Sequence, residues 1–398
     1  MPTPPRTNRR VAVVIEASNA YARGLLEGIH RHVREHEPWT VFLPEHGRGM
    51  PPLEALAKWH GDGVIARIET EATARAVAKL HRKLAIPVID VSAARLLPDL
   101  PYVETDDAEI ARLAADHFLE RDFSHFAFLG DDRFRWSDNR CRAFVAALVA
   151  KGHAVSVFER ARRRVASSDD DEAVEAWLAA VPKPVAVLAC YDIRGRQVID
   201  ACRRAGIAVP DQVAVLGVDD DEVLCGLASP PLSSVVPDAA GAGRLAAELL
   251  ERLMRGEPID RSEWLLPPVG IATRQSTDVL AIDDAFVVAA VRHIRDHACD
   301  AIKVADVARA LKTTRRVLES RFTKRVGHTP HEEITRVQFR RVEQLLRETD
   351  LPLAAIAMRA GFRHTEYMTV AFTKRHGMPP SRWRQRGRSS QIVGDSAR

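Results

Sequence analysis

Residues 303–327 read KVADVARALKTTRRVLESRFTKRVG, and residues 352–377 read PLAAIAMRAGFRHTEYMTVAFTKRHG. In the first stretch Val304, Val307, Ala308 and Leu311 share one helical face. The polar break KTT follows, Thr314 can cap the next helix, and Leu318, Phe322 and Val326 continue the apolar stripe. In the second, Ile356, Ala357 and Ala360 form a face, Gly361 supplies a turn, and His364 opens a helix buried through Met368 and Phe372. Both second helices close on F-T-K-R-x-G, at Phe322–Gly327 and Phe372–Gly377, so the helix-turn-helix unit is duplicated. Between the copies HEEITRVQFRRVEQLLRETD predicts a helix of about five turns after Pro330, with acidic residues at its start as the dipole prefers. Such a connector sets the distance between two recognition helices, which suits successive major grooves spaced about 34 Å apart.

Charge supports that direction. The whole chain of 398 residues carries a net +4, but residues 281–398 hold 23 Lys and Arg against 13 Asp and Glu, which leaves the first 280 residues at net −6. A basic terminal domain on an acidic body suggests contact with a polyanion, and charge alone leaves DNA, RNA and an anionic membrane open. No run approaches 18 apolar residues, and the N-terminal VAVVIEA is too short for a signal h-region, so a cytoplasmic protein is expected. Five scattered cysteines without a Cys-x-x-Cys pair predict reduced, structural thiols.

The region from about Asp284 to Arg384 resembles an AraC-family DNA-binding domain. Ala308, Leu311, Leu318, Arg321, Phe322, Gly327, Pro330, Leu345–Leu346, Ile356, Ala357, Gly361–Phe362, Phe372, Gly377, Pro380 and Trp383–Arg384 carry the likeness. It implies that double-stranded DNA is read by the exposed faces of the second helices. These offer Arg315, Arg316, Glu319 and Ser320 in the first unit, and His364, Thr365, Glu366 and Thr369 in the second. Arginine can pair bidentately with guanine, and His, Thr and Glu can reach other base edges. His364 stands where that family usually has a serine cap, and Val370 where an arginine is common. Any one of these side chains can alternatively be part of a solvated helix face.

From Arg10 to about Thr277 short β-rich runs (VAVVIEA, WTVFLP, GVIARI, PVIDV, HFAFLG, AVSVF, PVAVLAC, VAVLGV) alternate with amphipathic stretches at 21–35, 71–83, 108–121, 140–151 and 194–205. That alternation predicts parallel sheets with helices on both faces, in an α/β two-lobed domain. LSSVVPDAAGAG and LAAELLERLMRG read as a late strand and helix, and EWLLPPVGIATRQSTD as an extended exit. The expected division is a disordered 1–8, a sensor at 9–278, an all-α double helix-turn-helix domain at 279–386, and a disordered tail at 387–398.

This front region resembles the LacI/GalR-type sugar-binding fold, related to periplasmic binding proteins, without that family's N-terminal helix-turn-helix. With SNAYARGLLEGI, GDGVIARI, WSDNRCRAF and IRDHACDAIKV, the chain is similar to the D-xylose-responsive regulators of the AraC family. The resemblance implies a sugar effector, D-xylose first, with another pentose, a polyol or a non-sugar ligand as the alternative. It also implies a homodimer that activates sugar-catabolism genes through RNA polymerase, or one that represses. Sugar sites pair planar polar groups with an aromatic face. Arg140 and Asp219 are the first candidates, then Asp192, with Tyr21, Ser18, Trp136 and Arg194 at other strand ends. Asp192 and Asp219 can alternatively cap helices, and Arg140 can pair with a surface acid.

Other signals are weak. His293 and His297 have chelating spacing but no third ligand in register, Gly241-Ala-Gly243 is a fragment of a phosphate loop, and no Gly-x-Ser-x-Gly elbow appears. No cofactor, metal or enzymatic activity is expected.

Overall fold

The computed structural model describes residues 8–36, 38–44, 56, 58–158, 167–278 and 284–385. The chain divides into two compact units, Met1–Val279 and Leu280–Arg398. The tail at 387–398 and all but Asn8 of the N-terminal stretch lie outside the described residues.

The first unit holds two six-stranded sheets. One has the order β11 (Glu263–Leu266), β5 (Tyr102–Thr105), β4 (Val88–Asp90), β3 (Gly63–Ala66), β1 (Arg9–Val14), β2 (Trp39–Phe42), all parallel. The other runs β12 (Gly270–Ala272), β10 (Ser233–Val236), β9 (Val213–Val218), β8 (Val185–Ala189), β6 (His125–Leu129), β7 (Val155–Val157), with only β12 antiparallel. Continuous apolar runs such as VAVLGV, buried along their whole length, are what a sheet covered on both faces requires.

Helices α1 (Ala20–Glu35) and α8 (Ala239–Met254) cover one face of the first sheet, and α2 (Glu71–Leu84) covers the other. On the second sheet α3 (Asp107–Leu119) and α4 (Arg135–Val149) pack opposite α5 (Ser167–Ala180) and α6 (Asp192–Arg204), and the short α7 (Glu222–Leu227) follows β9. A Cβ on Gly28 would lie 2.0 Å from the Ala240 carbonyl oxygen, and one on Gly243 would lie 2.1 Å from that of Leu25. Gly243 therefore serves a close helix-helix approach, and Gly241 leaves room for the Asp238 cap of its own helix, where a Cβ would lie 2.1 Å from Oδ2.

The chain passes between the lobes three times, at 105–107, 236–239 and 266–270.

Three elements of the sensor differ from those expected from the sequence. Tyr102–Thr105 is an internal strand that composition did not announce. The expected extended exit supplies an edge strand to each sheet, with Pro267 and Pro268 in the crossing between them, where a missing N–H costs no ladder bond. Helix α4 begins at Arg135 and not at Arg140, so Trp136 and Arg140 lie one turn apart on one helix.

The second unit comprises α9 (Ala285–His297), α10 (Val304–Ala310), α11 (Arg315–Val326), α12 (Pro330–Glu348), α13 (Leu353–Arg359) and α14 (Thr365–His376). Its two apolar clusters correspond to the two copies of the repeat, one around Leu318 and Phe322, the other around Met368 and Phe372. Gly327 and Gly377 end the second helices at φ +81° and +71°, the left-handed region in which glycine carries no Cβ penalty. Thr314 caps α11 as expected, whereas His364 at the start of α14 makes no side-chain cap bond. Arg321 makes a two-pronged pair with Asp284 at 2.7 and 3.1 Å, tying α11 to the start of α9. On α12, Gln338 donates to the Ala298 and Gly361 carbonyls and so ties the turn at Gly361 to the chain that follows α9.

Helix α12 opens with a reciprocal capping box: the Glu332 N–H donates to Thr329 Oγ1 at 3.2 Å and the Thr329 N–H to Glu332 Oε2 at 2.7 Å. Thr329→Ala is expected to cost about 1 kcal/mol of stability in this unit, read as a lower urea midpoint by helical circular dichroism.

Candidate functional site

The carboxyl ends of the strands face a cavity of about 430 Å³ between the two lobes of the first unit, the place where open α/β sheets bind ligands. Each strand delivers its own group. Chain leaving β1 brings Glu16, Ser18 and Asn19; chain leaving β3 brings Arg67 and Glu69; β5 brings Glu104; β8 and β9 bring Tyr191 and Asp219. Helix α4 adds Trp136 and Arg140, and Phe134 precedes it.

Arg140 is only 6% exposed. Its Nε donates to Asp107 Oδ1 at 2.8 Å, one terminal nitrogen donates to the Cys190 carbonyl at 2.6 Å, and its guanidinium lies 4.8 Å from the Trp136 ring centre. The alternative of a surface acid is thus replaced by a buried one. Asp219 is held at φ +104°, and burial pushes its carboxyl up to about 6 against the opposing pull of Arg140 and Arg67. Burial drives Glu104 well above the usual carboxylate range, with the Asp107 charge adding to it. The Tyr21 hydroxyl and the Thr105 amide both donate to Glu104 Oε1.

Phe134 stacks on Trp136 with ring centres 5.0 Å apart, and Tyr191 meets Trp136 edge-on at 5.5 Å. The Trp136 indole N–H is buried without a partner in this wall. A cavity with an aromatic wall, two guanidinium groups and several carboxyls suits a neutral polyhydroxylated ring. Each hydroxyl there can find either a donor or an acceptor.

Of the expected ligand contacts, Ser18, Tyr21, Trp136, Arg140 and Asp219 line this cavity, whereas Asp192 and Arg194 do not. Both Asp192 oxygens are occupied, by Ser234 Oγ at 2.6 Å and the Asp221 amide at 2.7 Å. Arg194 pairs with Asp170 at 2.5 Å. Both side chains sit at the start of α6 and serve its packing. Glu104, Arg67 and Phe134 were not among the expected residues. The signal for Glu104 and Arg67 was the same strand-end position, which for Glu104 required recognising β5.

In the second unit Arg316 and Ser320 are exposed on α11, and Arg315 pairs with Glu319 at 2.8 Å on the same helix. On α14, Glu366 is exposed, Thr365 and Thr369 are half-buried, and the Thr369 hydroxyl donates to the Thr365 carbonyl at 2.8 Å. Val317, Tyr367 and Val370 are also exposed on these helices; of the three only Val370 was singled out in the sequence, as a departure from the family. A groove of about 550 Å³ in this unit is lined by Lys303, Arg315, His331, Arg363 and His364, with no carboxylate among its lining residues.

Among the described residues no His, Cys, Asp and Glu cluster could hold a metal, and His297 bonds to Asp300 at 3.0 Å. Nor, among them, is any helix long and apolar enough to cross a membrane.

Three family models match this chain. An XylR N-terminal domain covers residues 10–108, a periplasmic binding protein-like domain 115–277, and a helix-turn-helix domain 307–386. The xylose operon regulatory protein of Escherichia coli K12 is 30% identical over 393 residues, covering 94% of this chain and 96% of the relative. That of Haemophilus influenzae is 29% identical over 384 residues, covering 94% and 98%. The solved structure of the xylose-binding transcription activator XylR superimposes with a TM-score of 0.79 at 28% identity, over 96% of this chain and 98% of that one. The chain therefore belongs to the XylR family of xylose operon regulatory proteins, DNA-binding transcription regulators, not enzymes, that join an α/β sensor to an AraC-type double helix-turn-helix domain.

Proposed function

We propose that D-xylose is the effector of this regulator, that it binds in the cavity between the sensor lobes, and that the protein acts as a homodimer activating sugar-catabolism genes through RNA polymerase. The observation that carries this reading is the pairing of Arg140 and Asp219 from one lobe with Glu104 and Arg67 from the other, beside the Trp136 ring. A pentose offers vicinal hydroxyls that a guanidinium fork and a carboxylate can each hold two at a time.

Sugar that touches both lobes binds the closed arrangement more tightly than the open one, and only that difference in affinity can shift the equilibrium. The same coupling free energy raises the affinity for DNA, and DNA reciprocally tightens sugar binding.

On DNA, Arg316 reads a guanine in one major groove, and Val317 and Val370, both exposed, meet thymine methyl groups. Lys303 and Arg363 face phosphates, which position without specifying. Arg316→Ala is expected to lose about 1–3 kcal/mol of discrimination at one base pair. Lys303→Ala is expected to weaken all sequences alike and lower the salt slope by about 1. Binding titrations against a panel of single-base operator variants at several salt concentrations separate the two.

A thermal-shift panel of D-xylose, L-arabinose, D-ribose and polyols tests the effector. A sugar at about 100 times its Kd stabilises the protein by about 2.7 kcal/mol. The expected result is a shift with D-xylose that exceeds those of the other sugars, and no shift with D-xylose refutes the assignment.

A further inference from the structure

We propose that Arg23 and Asp221 are positioning residues for the effector response, their ion pair latching one lobe of the sensor to the other beside the cavity. The inference rests on the reading that effector binding closes the lobes. Arg23 lies on α1 of the first lobe, and Asp221 lies just after β9 of the second; a guanidinium nitrogen meets Asp221 Oδ2 at 2.8 Å.

Each partner is tied to a cavity wall. The other terminal nitrogen of Arg23 donates to the Ser18 carbonyl at 2.8 Å and to that of Ala17 at 3.4 Å, so it holds the loop that presents Ser18 and Asn19. Asp221 is the N-cap of α7, with Oδ1 accepting from the Leu224 amide, and its own amide donates to the buried Asp192. Asp192 in turn accepts from Ser234 Oγ.

The turn that connects this chain of bonds to the cavity is strained. Asp219 and Asp220 both have positive φ, +104° and +50°, and such a backbone persists only where its surroundings hold it. Here the Asp220 amide donates to Ser234 Oγ, and Arg274 pairs with the Asp220 carboxylate at 2.8 Å. A continuous set of bonds therefore runs from the Ser18 carbonyl through Arg23, Asp221 and Asp192 to Ser234, under the turn that aims Asp219 at the ligand. Asp192 and Asp221 touch no sugar in this scheme; they fix the geometry of the residue that does.

The test uses the full-length protein with D-xylose as the probe, in a cycle of Arg23→Gln, Asp221→Asn and the double variant. Asparagine caps helices as well as aspartate does, so α7 keeps its cap. Each single variant is expected to weaken D-xylose binding by up to about fivefold, and the double variant by no more than either single one. Xylose is uncharged, so the part of its affinity that falls as salt shortens the Debye length from about 10 Å to about 3 Å reports ion pairs made on closure. That part is expected to shrink in Arg23→Gln.

Additive losses in the cycle, or unchanged affinity in both single variants, overturn the latch. A second readout needs no sugar: amide exchange at residues 17–22 and 220–224 is expected to quicken in Arg23→Gln, and unchanged exchange at both segments counts against the pair. If the wild-type protein itself fails to bind D-xylose, the effector assignment falls, and the exchange result still decides the latch.

Discussion

Replacing Phe372 by alanine is expected to abolish sequence-specific DNA binding while leaving the sugar response of the sensor intact. Phe372 is fully buried at the centre of the second repeat, with Phe339 and Trp383 about 6 Å from its ring and His376 stacked on it at 4.2 Å. Removing a buried phenylalanine costs about 3–5 kcal/mol. A subdomain this small has a net stability of similar size, so the second recognition helix loses its platform. The first repeat has its own cluster around Phe322 and should keep its structure. The measurement pairs DNA-binding anisotropy with a D-xylose thermal shift on the same preparation. Wild-type DNA affinity in the variant would show that the second repeat contributes nothing to recognition.

Asp219→Asn is expected to lower D-xylose affinity by about 10- to 100-fold. Asparagine keeps the shape but replaces a charge-assisted acceptor, a bond worth about 1.5–3 kcal/mol, with an amide. The expected pH dependence follows from the same group. The carboxyl titrates at about 6 because burial raises it and Arg140 and Arg67 restrain the rise, so the ionised acceptor is present above that pH and lost below it. Xylose affinity in the wild type should therefore strengthen as pH rises from about 5 to about 7, and this component should vanish in Asp219→Asn. Calorimetry at several pH values gives both quantities. An unchanged affinity at pH 7 would remove Asp219 from the site.

The helical C-terminal unit was almost wholly legible in the chain. Apolar spacing, a threonine cap and a repeated F-T-K-R-x-G act locally, and the structure returns Leu318, Phe322, Met368 and Phe372 as buried core. The sensor was legible as alternation but not in its edges. Tyr102–Thr105 is four residues long and buried between β4 and β11, the latter far along the chain, so the run itself gives little signal. Missing it hid Glu104.

Asp192 misled for the opposite reason. A carboxylate at a strand end has the same sequence appearance whether it faces a ligand or the neighbouring turn, and only the positions of Ser234 and the Asp221 amide distinguish the two. Trp136 and Arg140 were legible as residues, although their shared helix was not, because Phe134 starts it without a side-chain cap bond.

The most direct test of a xylose-controlled DNA-binding regulator selects duplexes from a random-sequence pool with full-length protein in D-xylose. Affinity for the selected duplex is then measured by anisotropy at one fixed salt concentration, with and without the sugar. A selected site with two half-sites, bound about 5- to 150-fold more tightly in xylose, is the predicted result. Equal affinity with and without D-xylose, in a protein that binds the sugar, would contradict it.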